Sequence, residues 1–175
     1  MKNFEKPRMT PDRDTYYMGM SFWIASKSKD PKTQVGAYIV GVNNEPISFG
    51  YNGPPSKIID TNIDWSRPNK YPFVHHAEDN AIWHGRNKDL EGATIYITAR
   101  PCKACTLDIV RSCIKRIVYF SPKVVDSTSM TGDDTEWKTS TEIARLGSVI
   151  LSEFEGNLNW MRDRTKWMES IGVFD

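Results

Sequence analysis

Two short segments carry residues able to do chemistry together: His76-Ala77-Glu78 and Pro101-Cys102-Lys103-Ala104-Cys105. A Cys-x-x-Cys pair at the start of a helix brings both sulfurs toward one point, and the exposed backbone N–H groups there favour thiolate over thiol. A histidine at the start of a second helix supplies a third donor. Three protein donors leave a fourth tetrahedral position for water, the arrangement of a catalytic rather than a structural zinc site. Zinc lowers the pKa of such a water from about 15.7 to about 7, which makes a nucleophile available near neutrality. Glu78 follows the histidine closely enough to face the metal without binding it, and so to move protons. The competing readings are a redox cysteine pair, half of a structural zinc site, or two buried thiols. A structural site needs a fourth donor. Cys113 falls on the apolar side of the Cys105 helix and is expected in the core. His75 would point opposite to His76, and His84 lies roughly two helical turns away.

The elements that must position these residues follow from periodicity and breakers. Tyr16, Met20, Trp23 and Ile24 recur at helical spacing and predict a helix over 12–28, broken by Asp30-Pro31. Residues 35–42 and 46–51 read as a hairpin of two strands about an Asn43-Asn44 turn. The stretch 52–73 is rich in Pro, Gly, Asn and Asp without periodicity, a long loop of the kind that usually serves function. A helix over 77–85 ends at Gly85, and 93–98 reads as a strand. Pro101 opens a helix over 103–113, with Leu107, Ile109, Val110 and Ile114 as its apolar set. A strand at 116–121, a helix at 135–146 stopped by Gly147, a strand at 148–154 and a C-terminal helix at 157–170 complete the order. Strands alternating with helices predict an α/β fold, a three-layer α/β/α sandwich. The length predicts one domain over 1–175, with 1–10 a loose charged arm.

Composition narrows the functional classes. Lys plus Arg is 23 against 22 Asp plus Glu, a net charge of +1, which supplies no general attraction to a nucleic-acid backbone. No stretch approaches the roughly 20 apolar residues that span a bilayer, so no membrane partner is expected. Three cysteines, two of them in one short motif, do not form a secreted disulfide framework, and a cytoplasmic protein is expected.

His-x-Glu combined with Pro-Cys-x-x-Cys is the known signature of zinc nucleobase deaminases, and at this point the chain resembles the deoxycytidylate deaminases of the cytidine/deoxycytidylate deaminase superfamily. The resemblance spans roughly residues 26–151. It runs through Ser28-Lys29-Asp30-Pro31, Thr33-Gln34-Val35-Gly36-Ala37, Gly50-Tyr51-Asn52-Gly53, Lys70-Tyr71-Pro72-Phe73, His76-Ala77-Glu78, Asn80-Ala81-Ile82, and Pro101-Cys102 with Cys105. The resemblance implies a central five-stranded mixed sheet of cytidine deaminase-like form. It implies one catalytic Zn2+ per chain, hydrolysis of dCMP to dUMP and ammonia, and a homo-oligomer, often a hexamer. It also implies activation by dCTP and inhibition by dTTP, with Mg2+ accompanying the nucleotide effector. Asn52 matches a family asparagine near sugar and base, where an amide can both donate and accept; its other reading is a turn residue before Gly53. Ala77 matches a small residue against the pyrimidine, and close packing alone would also explain it.

The chain departs from the pattern in several places. Val124 stands where many relatives place an aromatic residue against the deoxyribose, which leaves room for dCTP or a 5-substituted deoxycytidine nucleotide as alternative substrates. Asp79 replaces an apolar neighbour of the glutamate, and an outward orientation is expected for an aspartate in a first helical turn. Gly53 begins the effector loop, which continues Pro54-Pro55-Ser56-Lys57 without the glycine relatives often carry, so Gly53 and Lys57 are the effector candidates. Lys29, Lys57, Arg100 and Lys123 are candidates for a substrate phosphate, and each reads equally well as a solvated surface charge. Trp23 and Trp83 are expected to pack in the interior, and Trp160 and Trp167 form a stripe on the last helix. Other readings are a deaminase of a nucleoside, of guanine or of tRNA adenosine, and a zinc-stabilised binding protein without catalysis; the intact Glu78 speaks against the last.

Overall fold

The computed structural model describes residues 8–121 and 134–174. Most of the proposed N-terminal arm, and the candidates Lys123 and Val124, lie outside the described residues. Strands β1 (Gly36–Val40), β2 (Pro46–Tyr51), β3 (Thr94–Ile97), β4 (Arg116–Tyr119) and β5 (Ile150–Glu153) form one sheet in the order β2-β1-β3-β4-β5. β1 pairs antiparallel with β2 and β3, whereas β3–β4 and β4–β5 are parallel, so the sheet is mixed as expected.

The central strands are buried on both faces, which is why they read as nearly continuous apolar runs. Ala37, Ile39, Ile95, Ile97 and Ile117 point to one side. There they meet Ala77 and Ala81 of α2 (Ala77–Gly85), Ile109 of α3 (Lys103–Arg111) and Ala144 of α4 (Asp134–Leu146). On the other side Val40, Tyr96 and Val118 meet Met18 of α1 (Arg13–Ala25) and Phe154, with Leu158 beside α5 (Asn159–Ser170) packed against them. The period of two along each strand thus builds two cores and three layers. No helix among the described residues is long and apolar enough to cross a membrane.

Helix α1 buries a different face from the one its large side chains suggest. Asp12 caps it, its carboxylate accepting from the Thr15 amide at 2.9 Å, but the buried positions are Thr15, Met18, Gly19, Ser21 and Ala25. Tyr16 and Trp23 are about half exposed. The cause is a close approach to β1: a Cβ on Gly36 would lie 2.1 Å from the Ser21 carbonyl oxygen and 2.6 Å from the Ala25 nitrogen. Only small residues fit that seam, so the bulky aromatics turn outward. Trp83 of α2 is likewise exposed rather than buried, and Arg86 lies over its ring. Trp160 does pack within the chain, stacked on Tyr16.

Helix α3 stops at Arg111, short of the expected Cys113. Cys113 has φ +60° and is exposed, so it caps a turn rather than joining the core; Ile114 is the residue that goes inside.

Candidate metal centre and active site

The two chemistry-bearing segments meet at the N-termini of α2 and α3. His76 and Cys102 are the residues that precede the first helical turn of each, both with extended backbone. Gly50 of β2 lets α2 press against the sheet: a Cβ there would lie 2.3 Å from the Ala77 carbonyl oxygen and 2.4 Å from the Ala81 nitrogen. His76 Nδ1 lies 3.3 Å from Cys105 Sγ and 3.6 Å from Cys102 Sγ. The three donor atoms all lie within 4.8 Å of one another. A tetrahedral zinc ion requires about 3.6 Å between N and S donors and about 3.8 Å between sulfurs, so this donor set fits the ion in chemistry and in spacing. Among the described residues it is the one such group, and no fourth His, Cys, Asp or Glu joins it, which is the pattern of an open site.

Without metal the three groups share protons. The Cys102 thiol falls to about 3, because its sulfur accepts from the Cys105 thiol, against the cost of burial, and from His76 and the Cys105 amide. Cys105 is pushed up for the converse reason, the donation to Cys102, with burial and the nearby Glu78 adding to it. His76 rises to about 9 through its bond to Cys102, opposed by burial and helped by Glu78.

Glu78 is 4% exposed. Burial raises its carboxyl above the ordinary range, and the charge of His76 offsets part of that rise. A buried carboxyl with a raised pKa beside a metal donor set suits proton transfer near neutrality.

Glu78, Ala77, His76 and Cys102 share the wall of one cavity of about 360 Å³, within the usual size of small-ligand pockets. Asn52 lines it too, but its amide is taken up by the protein: Oδ1 accepts from the Val35 amide at 2.8 Å, and Nδ2 donates to the Thr33 carbonyl at 2.9 Å. Lys29 lies outside the cavity, ion-paired to Asp60 and largely exposed. Gly53 bridges to His75, and Lys57 is exposed on the loop beyond; neither reaches the cavity. Asp79 bonds His75 Nδ1 at 2.5 Å, in keeping with the outward orientation.

The cavity is completed by Asp30, Arg67, Lys70, Tyr71, Arg100 and Trp137. Of these only Arg100 stands out from residue type and position as a candidate. Asp30, Lys70 and Tyr71 do fall in the segments that carry the family resemblance, the one signal that could have found them. Asp30 and Lys70 form an ion pair, 1% and 4% exposed at their side chains. Burial alone would raise the Asp30 carboxyl, but Lys70 and the Lys32 and Thr33 amides outweigh it and hold it below the ordinary value. The pair ties the end of the long loop to the segment after α1. Lys70→Met strands a buried carboxylate and is expected to cost about 3–5 kcal/mol in denaturant unfolding. The double variant Asp30→Asn/Lys70→Met should recover much of that loss; equal stability of the single variant and the parent would contradict the assignment.

A family model, the cytidine and deoxycytidylate deaminase zinc-binding region, matches residues 11–121. Deoxycytidylate deaminase of Homo sapiens is 38% identical over 122 residues, which cover 66% of this chain and 68% of that protein. The Mus musculus enzyme gives the same identity and coverage. In solved structures, the apo dCMP deaminase of cyanophage S-TIM5 shares the fold with a TM-score of 0.63 and 23% identity, over 83% of this chain and 100% of that one. Sheet order, donor geometry and sequence likeness agree: the chain belongs to the cytidine and deoxycytidylate deaminase zinc-binding family and is a zinc-dependent deaminase of its deoxycytidylate deaminase branch.

Proposed function

We propose that the chain hydrolyses dCMP to dUMP and ammonia. The observation that carries this reading is the buried Glu78 carboxyl sharing one cavity with His76 and Cys102, whose donor atoms lie within 4.8 Å of each other and of the Cys105 sulfur. Zinc, when bound, supplies the polarisation that makes water nucleophilic near neutral pH. His76, Cys102 and Cys105 would hold the ion. Glu78 takes one proton from the attacking water and passes it to N3 of the pyrimidine. It then moves the second proton to the amino group as the bond from oxygen to C4 becomes a carbonyl and the C4–N bond breaks. Both protons of the water are thereby used, and the carboxylate is regenerated. Ala77, buried at the start of α2, lines the cavity with a small side chain that leaves room for a pyrimidine.

The activity named for the mammalian relatives, deoxycytidylate deamination, supports a monophosphate over a nucleoside. The same reading extends to effector control by dCTP and dTTP with Mg2+ near Gly53 and Lys57, supported by a second cavity of about 460 Å³ whose walls include Tyr51, Pro54, Ser56 and Trp83. It also extends to a homo-oligomer, with a hexamer as the form the family suggests, and to a cytoplasmic location, supported by three cysteines that are all unpaired.

The test is a panel of dCMP, deoxycytidine, dCTP and 5-methyl-dCMP incubated with the zinc-loaded protein, with and without dCTP or dTTP as effector. The highest kcat/KM is expected for dCMP. Faster turnover of dCTP or the 5-methyl nucleotide would move the substrate assignment, and deamination of none of them would overturn the function.

A further inference from the structure

We propose that Arg100 is the residue that selects a phosphorylated substrate, its guanidinium held in place for that purpose by two aromatic rings and a hydroxyl. The proposal rests on the deaminase reading above and names the group that would meet the 5′-phosphate.

Arg100 stands immediately before Pro101 and lines the same cavity as Cys102 and Glu78. Its guanidinium carbon lies 4.7 Å from the Trp137 ring centre and 5.3 Å from the Tyr119 ring centre. One terminal nitrogen donates to Thr141 Oγ1 at 2.8 Å. These contacts fix the plane of the fork, and none of them neutralises it. The contrast with neighbouring cations is informative. Lys70, in the same cavity wall, is neutralised by Asp30, Lys29 by Asp60, and Arg116 by Asp14. No carboxylate stands at ion-pair distance from Arg100 among the described residues.

A permanent charge that is partly buried against aromatic faces gains from a counter-ion that can share its planar geometry. A phosphate does so through two parallel N–H···O bonds. The aromatic contacts add to the charge stabilisation and pre-set the orientation, so little rotamer freedom is lost on binding. A lysine could supply charge but neither the fork nor the stacking. Trp137, reaching the cavity from α4, is on this view a positioning residue for Arg100.

Arg100→Gln is the test, read against a phosphorylated and an unphosphorylated ligand. The variant should lose about 10- to 100-fold in kcat/KM for dCMP and a similar factor in dUMP affinity. Its losses in kcat/KM for deoxycytidine and in deoxyuridine affinity should be several-fold smaller than those for the phosphorylated ligands, with zinc content and unfolding midpoint near parental values. Arg100→Lys should fall between parent and Gln, and Trp137→Phe should lower the dCMP-to-deoxycytidine ratio less than Arg100→Gln does. Unchanged dCMP kinetics, which would assign the phosphate to another cation such as Arg67, would overturn the proposal. So would an equal loss on both ligands, the mark of a structural role. If the parent deaminates neither substrate, the deaminase reading fails, and the dUMP-to-deoxyuridine affinity ratio of parent and variants still decides the role of Arg100.

Discussion

Glu78→Gln is expected to keep zinc and fold while lowering dCMP turnover by about 10² to 10⁴-fold or more, since the residue serves more than one proton transfer. The amide has nearly the shape of the carboxyl it replaces, so the buried pocket around this 4% exposed side chain has no reason to collapse. What it cannot do is accept the proton of the attacking water. Substrate binding does not depend on that transfer, so the loss should fall on kcat with KM little changed. Parental turnover in a variant that retains zinc would refute the role assigned to Glu78.

Cys105→Ser and His76→Ala are each expected to leave much less than one zinc per chain after dialysis and to lose turnover in proportion. Cys105 is buried, and its sulfur is the nearer of the two to His76 Nδ1 at 3.3 Å. A serine hydroxyl there stays protonated and is a poor zinc donor. The proton distribution of the metal-free cluster adds a sign for the effect of pH. Cys102 is already a thiolate at neutrality, whereas His76 and Cys105 hold protons that zinc must displace. Zinc affinity should therefore rise with pH from mildly acid to neutral solution and fall on acidification. Calorimetric titrations in buffers of different ionisation enthalpy would read the released protons directly. Full zinc retention in both variants, or affinity that does not change with pH, would contradict ligation by these residues.

Legibility varied with the kind of information each element needs. The helix over Ala77–Gly85 and the strand over Pro46–Tyr51 are where residue patterns place them, because their breakers are local: Gly85 for the helix, and the Asn43-Asn44 turn before the strand. The metal donors are legible for a related reason, since a short motif at a helix start fixes where its side chains point. The buried face of α1 is not. It depends on how close Gly36 lets the helix come, a contact between residues on separate elements. Cys113 fails in the same way: its helical position is apolar on paper, but the helix ends early and the chain turns through a positive φ. The cavity wall is the least legible part. Asp30 and Lys70 are 40 positions apart, and Arg100 lies in the connection before α3 whereas Trp137 lies in α4. Only the folded long loop and α4 bring such residues to one place. Asn52, singled out in the sequence, does line that cavity, and its amide also bonds Val35 and Thr33.

In the proposed reaction this pocket uses a metal to remove an amine from a pyrimidine nucleotide. The direct measurement follows dUMP and ammonia from dCMP with the purified chain, first as loaded with zinc, then after chelation, then after zinc is restored. The two products should form in equal amounts, vanish with the metal and return with it. Deamination that continues undiminished in the zinc-free protein, or none from the fully loaded one, would contradict the account.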